Sequence, residues 1–142
     1  NIAAAETGGE VYIVDSLNVA VGEKAIVEYA LRMKDAGTDI HTIVETLNHE
    51  KENLRVIALL DTLEYLQKGG RIGKVAAFLG SAISLKPVIS CNEEGAYYAV
   101  AKSIGRNPSI KKVLELAQKF AEGCPKAMLA VMHGDAAEEA EA

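Results

Sequence analysis

Thr62-Leu63-Glu64-Tyr65-Leu66-Gln67-Lys68-Gly69-Gly70-Arg71-Ile72 reads as a short helix that carries its own stop signal, and Lys86-Pro87 follows fifteen residues beyond its arginine. Asp61 is placed to cap the first turn, with Glu64 three residues on to complete a capping box. Leu63 and Leu66 share one face, and Gly69-Gly70 supplies the left-handed conformation that ends a helix. The chain leaves that end carrying Arg71, whose planar fork of donors suits a carboxylate or a phosphate. On residue chemistry alone, a solvated arginine after a helix stop reads equally well.

Upstream the pattern alternates. Asn1 to Glu6 resembles the tail of a helix closed by Gly8-Gly9, and Val11-Tyr12-Ile13-Val14 is a short β-branched apolar run that predicts a buried parallel strand. Ile26, Tyr29, Ala30 and Met33 fall at helical spacing up to Gly37. Ile40, Ile43, Val44 and Leu47 repeat that spacing after Asp39, a good cap. Leu54 to Leu60 predicts a second buried strand, and Val75 to Leu79 a helical segment.

Downstream, Val88 to Cys91 and Ala96 to Ala101 flank Asn92-Glu93-Glu94-Gly95, which predicts a β-hairpin. Pro87 suits the first residue of an edge or entry strand. Asn107-Pro108 reads as a cap with proline at the first helical position, and the helix then runs to Gly123. Ala127 to Met132 predicts another strand, with a helix from Asp135. The expectation is an α/β fold: a partly parallel sheet with crossover helices in a first domain, then a smaller α/β domain containing the hairpin. The candidate boundary lies near Leu60-Asp61, giving domains 1–60 and 61–142, both incomplete.

Composition narrows the function classes. With 142 residues, 49% of them apolar and 25% charged, the chain is that of a globular protein with a core. A net charge of −5 argues against nucleic acid as a partner. No window approaches a membrane span, and the start, NIAAAETGGE, lacks the basic and apolar regions of a signal peptide. Cys91 and Cys124 show no CxxC pattern and read as reduced thiols, so a cytoplasmic location is expected.

Asp15-Ser16 directly follows the first predicted strand, where open α/β sheets bind ligands. Gly22 lies just before a helix whose free N–H groups attract anions. A plain strand-to-loop turn capped by Asp15 or Ser16 is the competing reading. Catalytic signatures are missing. There is no G-x-S-x-G, no P-loop and no HExxH, and His41, His49 and His133 have no metal-ligand spacing. No cofactor or metal is expected, and a binding protein is expected over an enzyme.

The run TLEYLQKGGRI, the later LKPVIS and the earlier VYIVDSLNVAVGEKAIVEYA resemble, in this order and spacing, the DegV family. The resemblance covers nearly the whole chain. It implies a bacterial two-domain protein that holds a long-chain fatty acid in an apolar tunnel between its domains, and that in some members presents it to a fatty-acid kinase. It implies head-group roles for Ser16, Asn18 and Arg71. Ala20 stands where the family usually has a second hydroxyl residue, a loss worth about 1.5–3 kcal/mol if that hydroxyl bonded a charged group. Lys102 and Arg106 lie in a loose match to the basic stretch associated with kinase docking, and a solvated cluster is the alternative. The family's remaining tunnel segments are expected before Asn1 and after Ala142. A phosphotransfer enzyme related to dihydroxyacetone-type kinases and a pure interaction domain are the alternative functions.

Overall fold

The computed structural model describes residues 2–78 and 85–141. Helix α1 (Ile2–Thr7) leads into an irregular segment, then α2 (Val21–Asp35) and α3 (Ile40–Glu50). Strand β1 (Ala58–Leu59) and the short helix α4 (Glu64–Lys68) follow, then a 3-10 helix over Gly73–Phe78. Strands β2 (Leu85–Cys91) and β3 (Tyr97–Ile104) form the hairpin, α5 (Arg106–Ala121) packs behind it, and α6 (Ala137–Glu141) ends the described chain.

Helices α2 and α3 form where the apolar spacing places them. Asp39 caps α3 through its carboxylate, which accepts from the His41 and Thr42 backbone N–H groups at 3.0 and 3.1 Å. Ile26, Ile43 and Leu47 are buried together, with Val14, Ala30, Met33 and Leu54 packed around them. Tyr29 and Ile40, on the same periodic faces, stay exposed.

A second apolar cluster gathers Leu63, Val75 and Ile89, joined by Ala58, Leu66, Phe78 and Tyr97 among others. Its sheet is three-stranded in the order β1-β2-β3 and antiparallel throughout. The five-residue connection between β2 and β3 dictates this for the hairpin, since parallel neighbours need a long crossover. The turn is built on Asn92, whose side-chain oxygen accepts from the Glu94 and Ala96 N–H groups, and Gly95 has the positive φ of +75° expected of it. A register shift falls between Val88 and Ile89.

The α/β class holds, but the parallel sheet does not form among the described residues. Val11 to Val14 forms no strand, and Val11, Tyr12 and Ile13 are exposed. Ala127 to Met132 is likewise unpaired coil, with Leu129 at 76% exposure. A strand exists only as half of a ladder, and no described neighbour supplies the other half. The strand predicted over Leu54 to Leu60 shrinks to Ala58–Leu59 for the same reason. The segment predicted helical over Val75 to Leu79 is a 3-10 helix from Gly73 to Phe78, and Leu79 lies outside the described residues.

Three local assignments also change. Pro87 is not an entry residue but the third residue of the middle strand. It is tolerated because β1 is so short: only the Pro87 carbonyl is used on that side, accepting from Leu60 N–H at 3.1 Å. Asn107 is not a cap, because α5 starts one residue earlier, at Arg106, behind Gly105. Ser109, fully buried, donates to the Gly105 carbonyl at 2.6 Å and tightens that start. Asp61 does not cap α4. Thr62 Oγ1 accepts from Glu64 N–H at 3.1 Å instead, and Asp61 turns to two cations described below.

Candidate ligand-binding site

The loop from Asp15 to Ala20 leads into α2 and carries three of the four residues expected to hold a ligand. Asp15 Oδ1 accepts from Leu17 N–H at 3.0 Å. Ser16 Oγ accepts from Asn18 N–H and donates to the Asn18 carbonyl, both at 3.3 Å, while Asn18 Nδ2 donates to the Ser16 carbonyl at 3.0 Å. Ser16 and Asn18 are therefore brought together in one closed turn. Among the described residues, the Asn18 amide makes this one donated bond, and its second N–H is not engaged.

The loop is strained. Leu17 and Ala20 both have φ of +52°, a region that non-glycine residues adopt at a cost of about 1–3 kcal/mol. Ala20 has ψ of −120° and makes no side-chain cap to α2. Two residues on, Gly22 permits a close approach: a Cβ there would lie 2.5 Å from Val56 Cγ2 and 3.2 Å from Asn18 Oδ1. Any side chain at Gly22 would have to displace Val56 and press on the Asn18 side chain.

Arg71 sits at a backbone-satisfied helix end. Its N–H donates to the Leu66 carbonyl at 2.8 Å and the Gly70 N–H donates to the Gln67 carbonyl at 3.0 Å, the paired bonds of a Schellman stop. Gly70 alone is left-handed, at φ +70°. Gly69 has ordinary helical φ, and its role is different: a Cβ there would meet Arg71 Nη1 at 3.2 Å. The absent side chain gives the arginine room to lie back over the helix end, where Nη1 donates to the Gly69 carbonyl at 2.8 Å. Arg71 is exposed, and among the described residues no hydrogen bond joins it to Ser16 or Asn18.

Of the two basic residues after the hairpin, Lys102 is exposed with its ammonium 6.0 Å from the Phe78 ring centroid. Arg106 is not free. Its Nε donates to both oxygens of Glu139 at 2.9 Å, Nη2 bonds Glu139 as well, and Nη1 reaches Asp61 Oδ1 at 3.2 Å. Lys86, whose side chain is only 20% exposed, bonds Asp61 Oδ1 at 3.0 Å. These groups line a cleft of about 470 Å³ together with Asp135 and Glu138. Sequence reading missed this network and the Lys51 contact described below. Partners 25 to 45 residues apart leave no local signal.

The network sets the titration of its carboxylates. Asp61 is held below its usual range chiefly by the Lys86 hydrogen bond, with Arg106 adding to it. Glu139 is lowered chiefly by its hydrogen bond from Arg106. A lowered folded-state pKa means that the stabilisation is present above the ordinary carboxylate range and is lost as pH falls through the folded values. Below about pH 4, where ordinary carboxylates protonate, α6 should begin to leave Arg106 while α2 and α3 stay packed. Backbone amide shifts of Ala137–Glu141 followed from pH 7 to 2 check this, and an α6 unmoved at pH 2 would refute it.

The features assembled so far define an α/β chain with two apolar clusters, a strained polar loop before α2, and a helix end that presents an arginine. The chain belongs to the DegV family, whose family model, described as uncharacterised, matches residues 1–142. It is 40% identical over 130 residues to a DegV domain-containing protein of Clostridium acetobutylicum, covering 90% of this chain and 45% of that protein. Among solved structures it is similar to a DegV family protein from Thermus thermophilus described as fatty-acid binding. That match has 30% identity and a TM-score of 0.77, over 86% of this chain and 43% of the other. DegV of Bacillus subtilis, described as a fatty acid binding protein, matches at 26% identity and a TM-score of 0.79, over 98% and 50%. The chain spans about half the length of the curated relatives it matches. Among the described residues no helix is long and apolar enough to cross a membrane.

Proposed function

We propose that this chain is part of a non-enzymatic fatty-acid-binding protein, with 1–60 belonging to a first α/β domain and 61–142 to most of a second. The observation that carries the reading is the similarity to the fatty-acid-binding proteins from Thermus thermophilus and Bacillus subtilis, across 86% and 98% of this chain. The geometry is compatible with it. Apolar side chains that stay exposed, Ile13, Leu31 and Leu129 among them, offer surface for an acyl chain, whose burial contributes about 0.8 kcal/mol per CH₂. A buried carboxylate must be met by donors or it carries a large desolvation cost. Asn18 has an amide N–H to give, Ser16 shapes the turn that aims it, and Arg71 is the charge partner, directly or through water. Ala20 brings no hydroxyl to that set.

In the same reading the bound head group is presented to a fatty-acid kinase, with Lys102 and Arg106 on the docking face. Arg106 already holds two carboxylates, so an acidic partner there would have to displace Glu139 or Asp61. Lys102 carries no such constraint. The protein is expected at a cytoplasmic location.

Native mass spectrometry of the full-length protein to which this chain belongs, after bacterial expression, tests the reading. A co-purified mass matching a long-chain fatty acid is the expected result. A lipid-free chain that is stabilised by ATP with Mg²⁺ and not by palmitate would overturn it in favour of phosphotransfer.

A further inference from the structure

We infer that Lys51 is a positioning residue for the loop that meets the head group, acting from the end of α3 on the backbone of Asp15. Its ammonium donates to the Asp15 carbonyl at 2.9 Å, across 36 residues of sequence. Among the described residues, the remaining side-chain hydrogen bonds of the loop run within the loop itself, from Leu17 N–H to Asp15 and between Ser16 and Asn18. Such local bonds close a turn but do not fix where the turn sits. Two residues of the loop, Leu17 and Ala20, are held at φ +52°, and conformations of that kind persist only where the surroundings over-determine them.

The surroundings act from two sides. Lys51 holds the entry to the loop, with its own backbone N–H engaged at the end of α3 by the His49 and Leu47 carbonyls. The hairpin turn stands against the middle, where a Cβ at Gly95 would meet Leu17 Cα at 3.4 Å and its Cδ2 at 3.6 Å. Lys51 follows the helix of the first cluster and Gly95 belongs to the hairpin that frames the second. The loop is thus clamped between them, and Lys51 is the member of the clamp that can be removed without changing any backbone preference. The ammonium also lends positive charge to the entry of a loop whose own charged group, Asp15, is anionic.

This inference rests on the fatty-acid reading, and its test separates the two. Lys51→Met keeps the apolar stem and removes the donor, while Lys51→Arg keeps a cation that can reach a carbonyl. In the full-length protein to which this chain belongs, Lys51→Met is expected to speed amide hydrogen exchange at Leu17 and Asn18. It is also expected to weaken palmitate binding about tenfold, the scale of one misplaced hydrogen bond to a charged group. Binding of 1-hexadecanol, which has no carboxylate, should be unchanged, and Lys51→Arg should restore most of the palmitate affinity. Unchanged exchange at the loop overturns the anchoring role. Faster exchange with equal losses for palmitate and hexadecanol overturns the positioning role, because the loop would then not serve the carboxylate. A parent protein that binds neither probe overturns the fatty-acid reading itself, while the exchange measurement still reports on the anchor.

Discussion

Arg71→Ala is expected to weaken fatty-acid binding by about 10- to 100-fold, the range of a hydrogen bond or two to a charged group, while melting shifts by only a few degrees. The separation of the two effects follows from how the helix end is built. The stop of α4 is made by backbone bonds from Gly70 and Arg71 to Gln67 and Leu66, none of which needs the guanidinium. The side chain adds one exposed bond to the Gly69 carbonyl, and an exposed bond of that kind contributes about 1 kcal/mol or less to stability. A carboxylate held by Arg71 in an apolar setting would depend on it far more. Isothermal titration with palmitate beside thermal unfolding decides the matter. Equal losses in affinity and stability would show that the arginine only finishes the helix. Arg71→Lys should recover part of the affinity, because the charge returns without the planar fork.

What was legible in the sequence were the features set by near neighbours. Asp39 before an apolar period gave α3 and its cap, and Asn92 to Gly95 gave the hairpin, because each is closed by bonds spanning only two to four residues. The Gly-Gly-Arg helix end was legible for the same reason, although only Gly70 is left-handed and Gly69 serves instead to make room for Arg71. What could not be read was decided at a distance. Val11 to Val14 and Ala127 to Met132 have strand composition, yet composition cannot supply the neighbouring strand that would pair with them. Asp61 looked like a cap because Glu64 follows it at the right spacing. Lys86 and Arg106, 25 and 45 residues away, draw its carboxylate elsewhere. Of the candidate site, Ser16 and Asn18 were found and do meet, while Lys51 gave no hint because its contact is to a carbonyl that any residue would offer.

Val75→Asp is expected to dissolve the second apolar cluster, and the consequence for the first cluster is the informative part. Val75 is 0% exposed and packs with Leu63 and Ile89, from the 3-10 helix that begins two residues after Arg71. No ion pair among the described residues involves its immediate neighbours in that cluster, Leu63 and Ile89, which are apolar. An unpaired carboxylate buried there costs about 3–5 kcal/mol, a large part of the 5–15 kcal/mol that holds an ordinary domain folded. The new carboxyl would also be driven toward its neutral form, so the damage should be smaller at pH 4 than at pH 7. Ala76→Asp is the control: it places the same group one residue on, where the chain is exposed, and should cost less than about 0.5 kcal/mol. Amide spectra resolve where the damage falls. If Ile89 and Tyr97 lose their native signals while Ile26, Ile43 and Leu47 keep theirs, the two clusters are separate cooperative units, and since β1 pairs with β2 the division between them falls before Ala58. If both sets collapse together, the contacts around Leu17 and Gly95 bind the clusters into one unit, and a tunnel between independent domains is the wrong description of this fold.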